Sequence, residues 1–199
     1  FNTKRLWNQF WNVSIVTSVM MCIYGLLQLM GAITINQGGV RLDGTFGNAA
    51  YFAIYLVFNI FLCLYFVADF TKEKWVRWIY GLAALFETII LYFTATRGAI
   101  LGLVGGLLIT GILLAWKERE NKTVRKASYW ILGVITAFVL IFVAIRHTPL
   151  VSNSPVLSRF SNLGISEFQT QGRYFVWPMA MKGFLEKPVL GWGQEGFNF

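Results

Sequence analysis

The sequence predicts an all-α polytopic membrane protein with about five transmembrane helices and one further amphipathic helix at the outer interface. Three observations predict it. Of 199 residues, 56% are hydrophobic and only 13% charged, against about 25% charged in an ordinary soluble domain. The apolar residues come in runs of roughly 20, the length that crosses a bilayer as a helix. The basic residues behind the net charge of +8 sit in short segments between those runs. That is the pattern of membrane topology rather than of a phosphate-tracking face, so nucleic acid is not expected as a partner.

Candidate spans cover residues 10–31, 49–68, 77–95, 98–116 and 127–145. The third and fourth lie in one apolar run from Trp78 to Trp116, broken only by Glu87 and Arg97. As one helix that run would measure about 58 Å, near twice the hydrocarbon core. It must fold back, and Thr94 to Gly98 is the natural corner, with Gly98 to permit the turn. Lys4, Arg5, Lys72, Lys74, Arg77, Lys117, Arg119, Lys122, Arg125 and Lys126 flank one set of span ends, while the intervening short segments carry only Arg41 and Arg97. The basic side is cytoplasmic by this rule, so residues 32–48, the corner at Arg97 and everything after Ile145 face outward.

Residues 1–145 therefore form a five-span domain and residues 146–199 an outer segment. "HTPLVSNSPVLSRFSNLG" is turn-rich. "RYFVWPMAMKGFLEKPVLGWG" reads as an amphipathic helix over about 173–186, ended by Lys187-Pro188. With a start at Phe1 rather than Met and a stop at Phe199, the chain is expected to be a piece of a longer protein. Cys22 and Cys63, both within apolar runs, read as buried thiols.

Arginine inside so apolar a chain needs a reason. One reason is anchoring, with the side chain snorkelling to lipid phosphates. Two further segments support another. In "RLDGTFGNAA", Arg41 precedes the second span, which Asn48 or Thr45 can cap. In "QGRYFVW", Gly172-Arg173 opens the outer helix. Three outer segments thus place an arginine within a few residues of a glycine and near a helix N-terminus. Free N–H groups, a partial positive charge and guanidinium forks together make a multivalent anion site, suited to a diphosphate on a lipid tail. The sequence has no GxxxxGK[ST] loop, no HExxH, no Cys/His metal set and no DxD pair, so neither cofactor nor metal is expected.

"RLDGTFGNAAYFAIYL", "LYFTATRGAILGLVGGLLI" and "GRYFVWPMAMKGFLEKPVLGWGQEGFNF", in this order, resemble the O-antigen ligase/polymerase family of bacterial inner-membrane glycosyltransferases, from about residue 41 to the end. The resemblance implies a glycosyltransferase of the cell envelope, acting as in lipopolysaccharide biosynthesis. It would move or polymerise a preassembled glycan from an undecaprenyl-pyrophosphate donor to a glycan, lipid or protein acceptor at the periplasmic face, without metal. By match to the family's motifs, Arg41, Arg97 and Arg173 would hold the pyrophosphate. Asn48, Gly98 and Glu87 stand as supporting residues. The family's catalytic histidine is expected beyond Phe199, and members have about ten or more spans, so the piece would hold much of the donor site without its base. A transporter or carrier of a lipid-linked anion, and a non-catalytic membrane scaffold, stay open as alternatives.

The remaining polar residues have simpler readings. His147, the single histidine, adjoins Arg146 and has no acidic partner nearby in sequence, so it reads as a loop residue rather than a base. Glu87 is costly at mid-membrane and about 15 Å of helical rise from Arg97, too far to pair with it. It is expected to be protonated or bonded to a neighbouring span outside this piece. Asp69 reads as solvated. Gly98, Gly102 and Gly106 share a helix face and read as a close-packing seam. The Trp and Tyr near span ends read as interface anchors.

Overall fold

The structure, a computed structural model, describes residues 3–69, 73–117, 122–146, 148–152, 154, 156–157, 172–189 and 191–193. Among the described residues the helices are α1 (Lys4–Leu29), α2 (Ala49–Ala68), α3 (Lys74–Phe93), α4 (Arg97–Lys117), α5 (Lys122–Ile145), α6 (Pro149–Ser152) and α7 (Gly172–Glu186). The first five are long and apolar enough to cross a membrane. They overlap the expected spans. α1 and α5 begin earlier, at Lys4 and Lys122, because lysine and arginine continue a helix well even where they leave the hydrocarbon.

α2 is the hub. It packs on α1, α3 and α4, while α5 joins the bundle through α4. Accordingly α2 is the most buried span and α5 the least. One core cluster joins Cys22 of α1, Phe52, Ala53, Leu56 and Ile60 of α2, Ile90 and Leu91 of α3, and Ala99 and Leu103 of α4. A second gathers Ile15, Cys63, Phe66 and Ala84 towards the opposite end. Both cysteines are buried free thiols, as expected. Polar ties cross the same seams: Ser14 donates to Asn59 Oδ1 at 2.9 Å and Tyr80 donates to Asn12 Oδ1 at 2.8 Å. Such ties replace the hydrophobic drive that lipid cannot supply. Trp7, Trp75, Trp78, Trp116 and Trp130 are exposed towards the basic ends of their helices.

The chain does break between α3 and α4, at Thr94–Thr96. The turn is not made by Gly98, which lies inside α4. Ala95 takes the left-handed conformation, with φ of 50°. Its Cβ then crowds a carbonyl oxygen at a cost of about 1–2 kcal/mol, which the packing around this buried residue offsets. α4 then leans on α2 and α5 and shares few contacts with α3. The glycine seam also differs from expectation. A methyl group on Gly98, Gly102 or Gly105 would meet nothing within 4 Å, whereas one on Gly106 would lie 2.6 Å from Cζ of Phe61 on α2. Only Gly106 of these four permits close approach.

α7 forms where expected and stops at Glu186, before Lys187-Pro188. Its apolar side chains are not gathered on one face. Phe175, Val176, Trp177, Met179, Met181, Phe184 and Leu185 surround the helix and are all exposed. At 100° per residue these positions reach every side, so the amphipathic pattern expected from the sequence is absent.

Candidate functional site

Residues 30–48 fold back onto one end of the bundle, the end that also carries the α3–α4 corner. The tie starts in the last turn of α1. Gln28 is buried; its amide NH₂ donates to Asp43 Oδ1 at 2.7 Å and to Thr34 O at 3.0 Å, while its Oε1 accepts from Gly44 N at 2.9 Å. The other carboxyl oxygen of Asp43 accepts from Gln37 N at 2.7 Å, and Gln37 Oε1 accepts from Ala49 N at 2.8 Å. Gly44 has φ of 57°, a left-handed conformation that favours glycine, while a Cβ there would only touch the Phe52 ring at 3.4 Å. Asn48 caps α2 through Ala50 N at 2.8 Å, as expected; Thr45 instead points to the Met21 sulfur at 3.5 Å.

These ties deliver Arg41 to the corner. Its Nε donates to Thr94 O at 3.1 Å and its Nη2 to Thr96 Oγ1 at 3.0 Å. Leu42 follows, fully buried, with its N–H on Phe93 O at 3.3 Å. The Thr96 hydroxyl also reaches Ala49 O at 3.3 Å. The start of α2 at Ala49 and the start of α4 at Arg97 are therefore neighbours, with the Arg41 guanidinium against the link between them. Neither helix has an acidic residue in its first turn. The first two N–H groups of α2 are taken by Gln37 and Asn48, so what this place offers an anion is the Arg41 guanidinium, the start of α4 and the dipoles of both helices.

Arg41, Asn48 and the backbone leading into Arg97 and Gly98 are thus brought together. Arg173 lies in the first turn of α7, and its side chain is outside the described residues, as is all of His147. Among the described residues α7 has no extensive contact with the five spans. Tyr92 of α3 and Ser154 lie 3.4 Å apart, so the segment after α5 does return to this end. Glu87 is elsewhere, buried within the bundle. It accepts a hydrogen bond from Ser18 of α1 and faces the Cys63 thiol of α2 at 3.9 Å. These partners lie on α1 and α2, within the five helices. The surface concavities along α5, about 410 Å³, and behind α7, about 300 Å³, include neither Arg41 nor Arg97.

Residues 82–199 match the O-Antigen ligase family. The chain belongs to that family. Arg97 and Arg173 lie within the matched region; Arg41 and Asn48 precede it, so the resemblance seen from about residue 41 is carried by the family only from residue 82. No curated protein and no solved structure matches the chain. Family and architecture together make this a multi-pass membrane protein of the O-antigen ligase type, with glycan transfer as its general activity and a lipid-linked glycan and an acceptor as its substrate classes.

Sequence reasoning missed Thr96, Gln28, Gln37 and Asp43 as parts of this end. The available signal was Asp43, which sits two residues from Arg41 and is the first acidic residue in the chain.

Proposed function

We propose that the corner end binds the pyrophosphate of an undecaprenyl-pyrophosphate-linked glycan at the periplasmic face of the inner membrane, and that the glycan passes from it to an acceptor hydroxyl. The observation that carries this reading is the docking of Arg41 on Thr94 and Thr96, where the first turns of α2 and α4 meet. Arg97 opens α4 there, and Arg173 is the third member by sequence. In the transfer step the acceptor oxygen attacks the anomeric carbon, the bond from that carbon to the phosphate oxygen breaks, and the pyrophosphate leaves as an anion. Arginines and helix N-termini set around that anion stabilise the charge as it develops. The acceptor's proton goes to a general base as the bond forms.

The test is glycan transfer from purified undecaprenyl-pyrophosphate donor by the full-length protein, with membrane insertion checked for each variant. Arg97→Ala is expected to lower turnover roughly 30- to 150-fold, the value of about 2–3 kcal/mol for a lost charge-assisted hydrogen bond. Arg97→Lys keeps the charge but loses the planar fork, and lowers turnover clearly though less. Wild-type turnover by both variants would make Arg97 a lipid anchor, because lysine snorkels equally well.

A further inference from the structure

The triplet Arg41-Leu42-Asp43 is held at three places by three different parts of the bundle. Arg41 is fixed to the corner, Leu42 is buried in the core with its N–H on α3, and Asp43 is buried with one carboxyl oxygen on Gln28 of α1 and the other on Gln37 N. Gln28 cannot rotate its amide to suit another partner, because Oε1 is committed to Gly44 N and Nε2 to Thr34 O. Asp43 in turn sees only donors. Hydrophobic burial of Leu42 alone would hold the loop but leave rotation about the chain on either side of it. The tie at Asp43 removes that freedom, and Arg41 is two residues away. A guanidinium on a 19-residue connection, 30–48, would otherwise be placed far too loosely to recognise a diphosphate, which requires a first shell fixed within about 0.5 Å.

We infer that Asp43 and Gln28 are positioning residues for the anion site, acting through Arg41 to hold its guanidinium at the junction of α2 and α4. This rests on the anion-site reading of Arg41. Asp43→Asn is nearly isosteric but turns an NH₂ group towards either Gln28 Nε2 or Gln37 N, setting donor against donor. Gln28→Met removes the same tie from α1 while keeping the volume.

The test is a double-mutant cycle on the full-length protein in detergent micelles, with undecaprenyl pyrophosphate as probe and undecaprenol as the control for tail binding. In the Arg41 background, Asp43→Asn and Gln28→Met should each weaken binding of the pyrophosphate lipid by about tenfold and leave undecaprenol binding unchanged. In the Arg41→Ala background each should change it by less than about twofold, because the group through which they act is gone. Equal weakening in both backgrounds, no weakening in either, or failure of both variants to insert would overturn the positioning role and leave a structural tie. Undiminished binding by Arg41→Ala itself would instead sink the anion-site reading.

Discussion

Glu87 shows how far a single residue can be read. Its depth marks it as exceptional, because a carboxyl in the hydrocarbon must find partners. The structure supplies them as the Ser18 hydroxyl and the Cys63 thiol, one on each neighbouring helix. Glu87 is thereby a tie between α1, α2 and α3. Glu87→Gln keeps the shape and one acceptor oxygen, and its NH₂ faces a hydroxyl or a thiol that can turn to accept, so it should shift unfolding stability by no more than about 1 kcal/mol. Glu87→Ala opens a cavity in a fully buried site and should cost about 2–4 kcal/mol. Thermal unfolding in detergent checks both, and equal stability of all three proteins would mean that the side chain is not packed as described. The sequence singles out Glu87, but not its partners. Which residues of α1 and α2 face it depends on the rotation of each helix, and apolar residues surround both helices so that no stripe marks the inner face. Arg41 has the same history. Its importance could be read from "RLDG", but its docking on Thr94 and Thr96 required the path of the whole connection.

Helices were the most legible elements, since a run of about 20 apolar residues has one stable conformation in lipid. α2 matches its expected bounds at both ends, fixed by the Asn48 cap and by Asp69. Packing between helices was much less legible. Small residues at i and i+4 suggested one continuous seam along α4, yet the helix turns only Gly106 and Gly111 onto neighbours, Phe61 of α2 and Leu132 of α5. This separates the glycines by experiment. Gly106→Ala should drive the Phe61 ring from its place and loosen α4 from α2, at a cost of about 1–3 kcal/mol. Gly102→Ala meets open space and should be neutral or stabilising by up to about 1 kcal/mol through helix propensity. Combining Phe61→Leu with Gly106→Ala should recover stability, since the clash is with the ring tip. Comparable loss from both single alanine variants would restore the continuous seam and contradict the described rotation of α4.

At the scale of the whole molecule, the bundle has two unlike ends. One carries Lys4, Arg5, Lys74, Arg77, Lys117, Lys122, Arg125 and Lys126 around helix termini with exposed tryptophans. The other carries Arg41 and Arg97, the folded connection 30–48 and the return of the chain at Ser154. The positive-inside rule puts the first end in the cytoplasm, and then the two arginines stand on the side where short segments usually avoid them. If they stayed there only as topological signals they would work against the rest of the chain. As anion ligands they need not, because Lys and Arg at the opposite end outnumber them. The two roles part under one experiment. A reporter enzyme active only outside the cytoplasm should work when fused after Gly39 or Arg146 and be silent after Glu120. The pattern should survive Arg41→Ala with Arg97→Ala, since the basic end is untouched, while binding of the pyrophosphate lipid by the full-length double variant falls by at least about a hundredfold if each arginine contributes about tenfold or more. Activity after Glu120 in the wild-type chain would invert the topology and put the corner end in the cytoplasm. An inverted pattern in the double variant alone would instead show that the arginines set orientation, and the anion site would then have to be argued from binding alone.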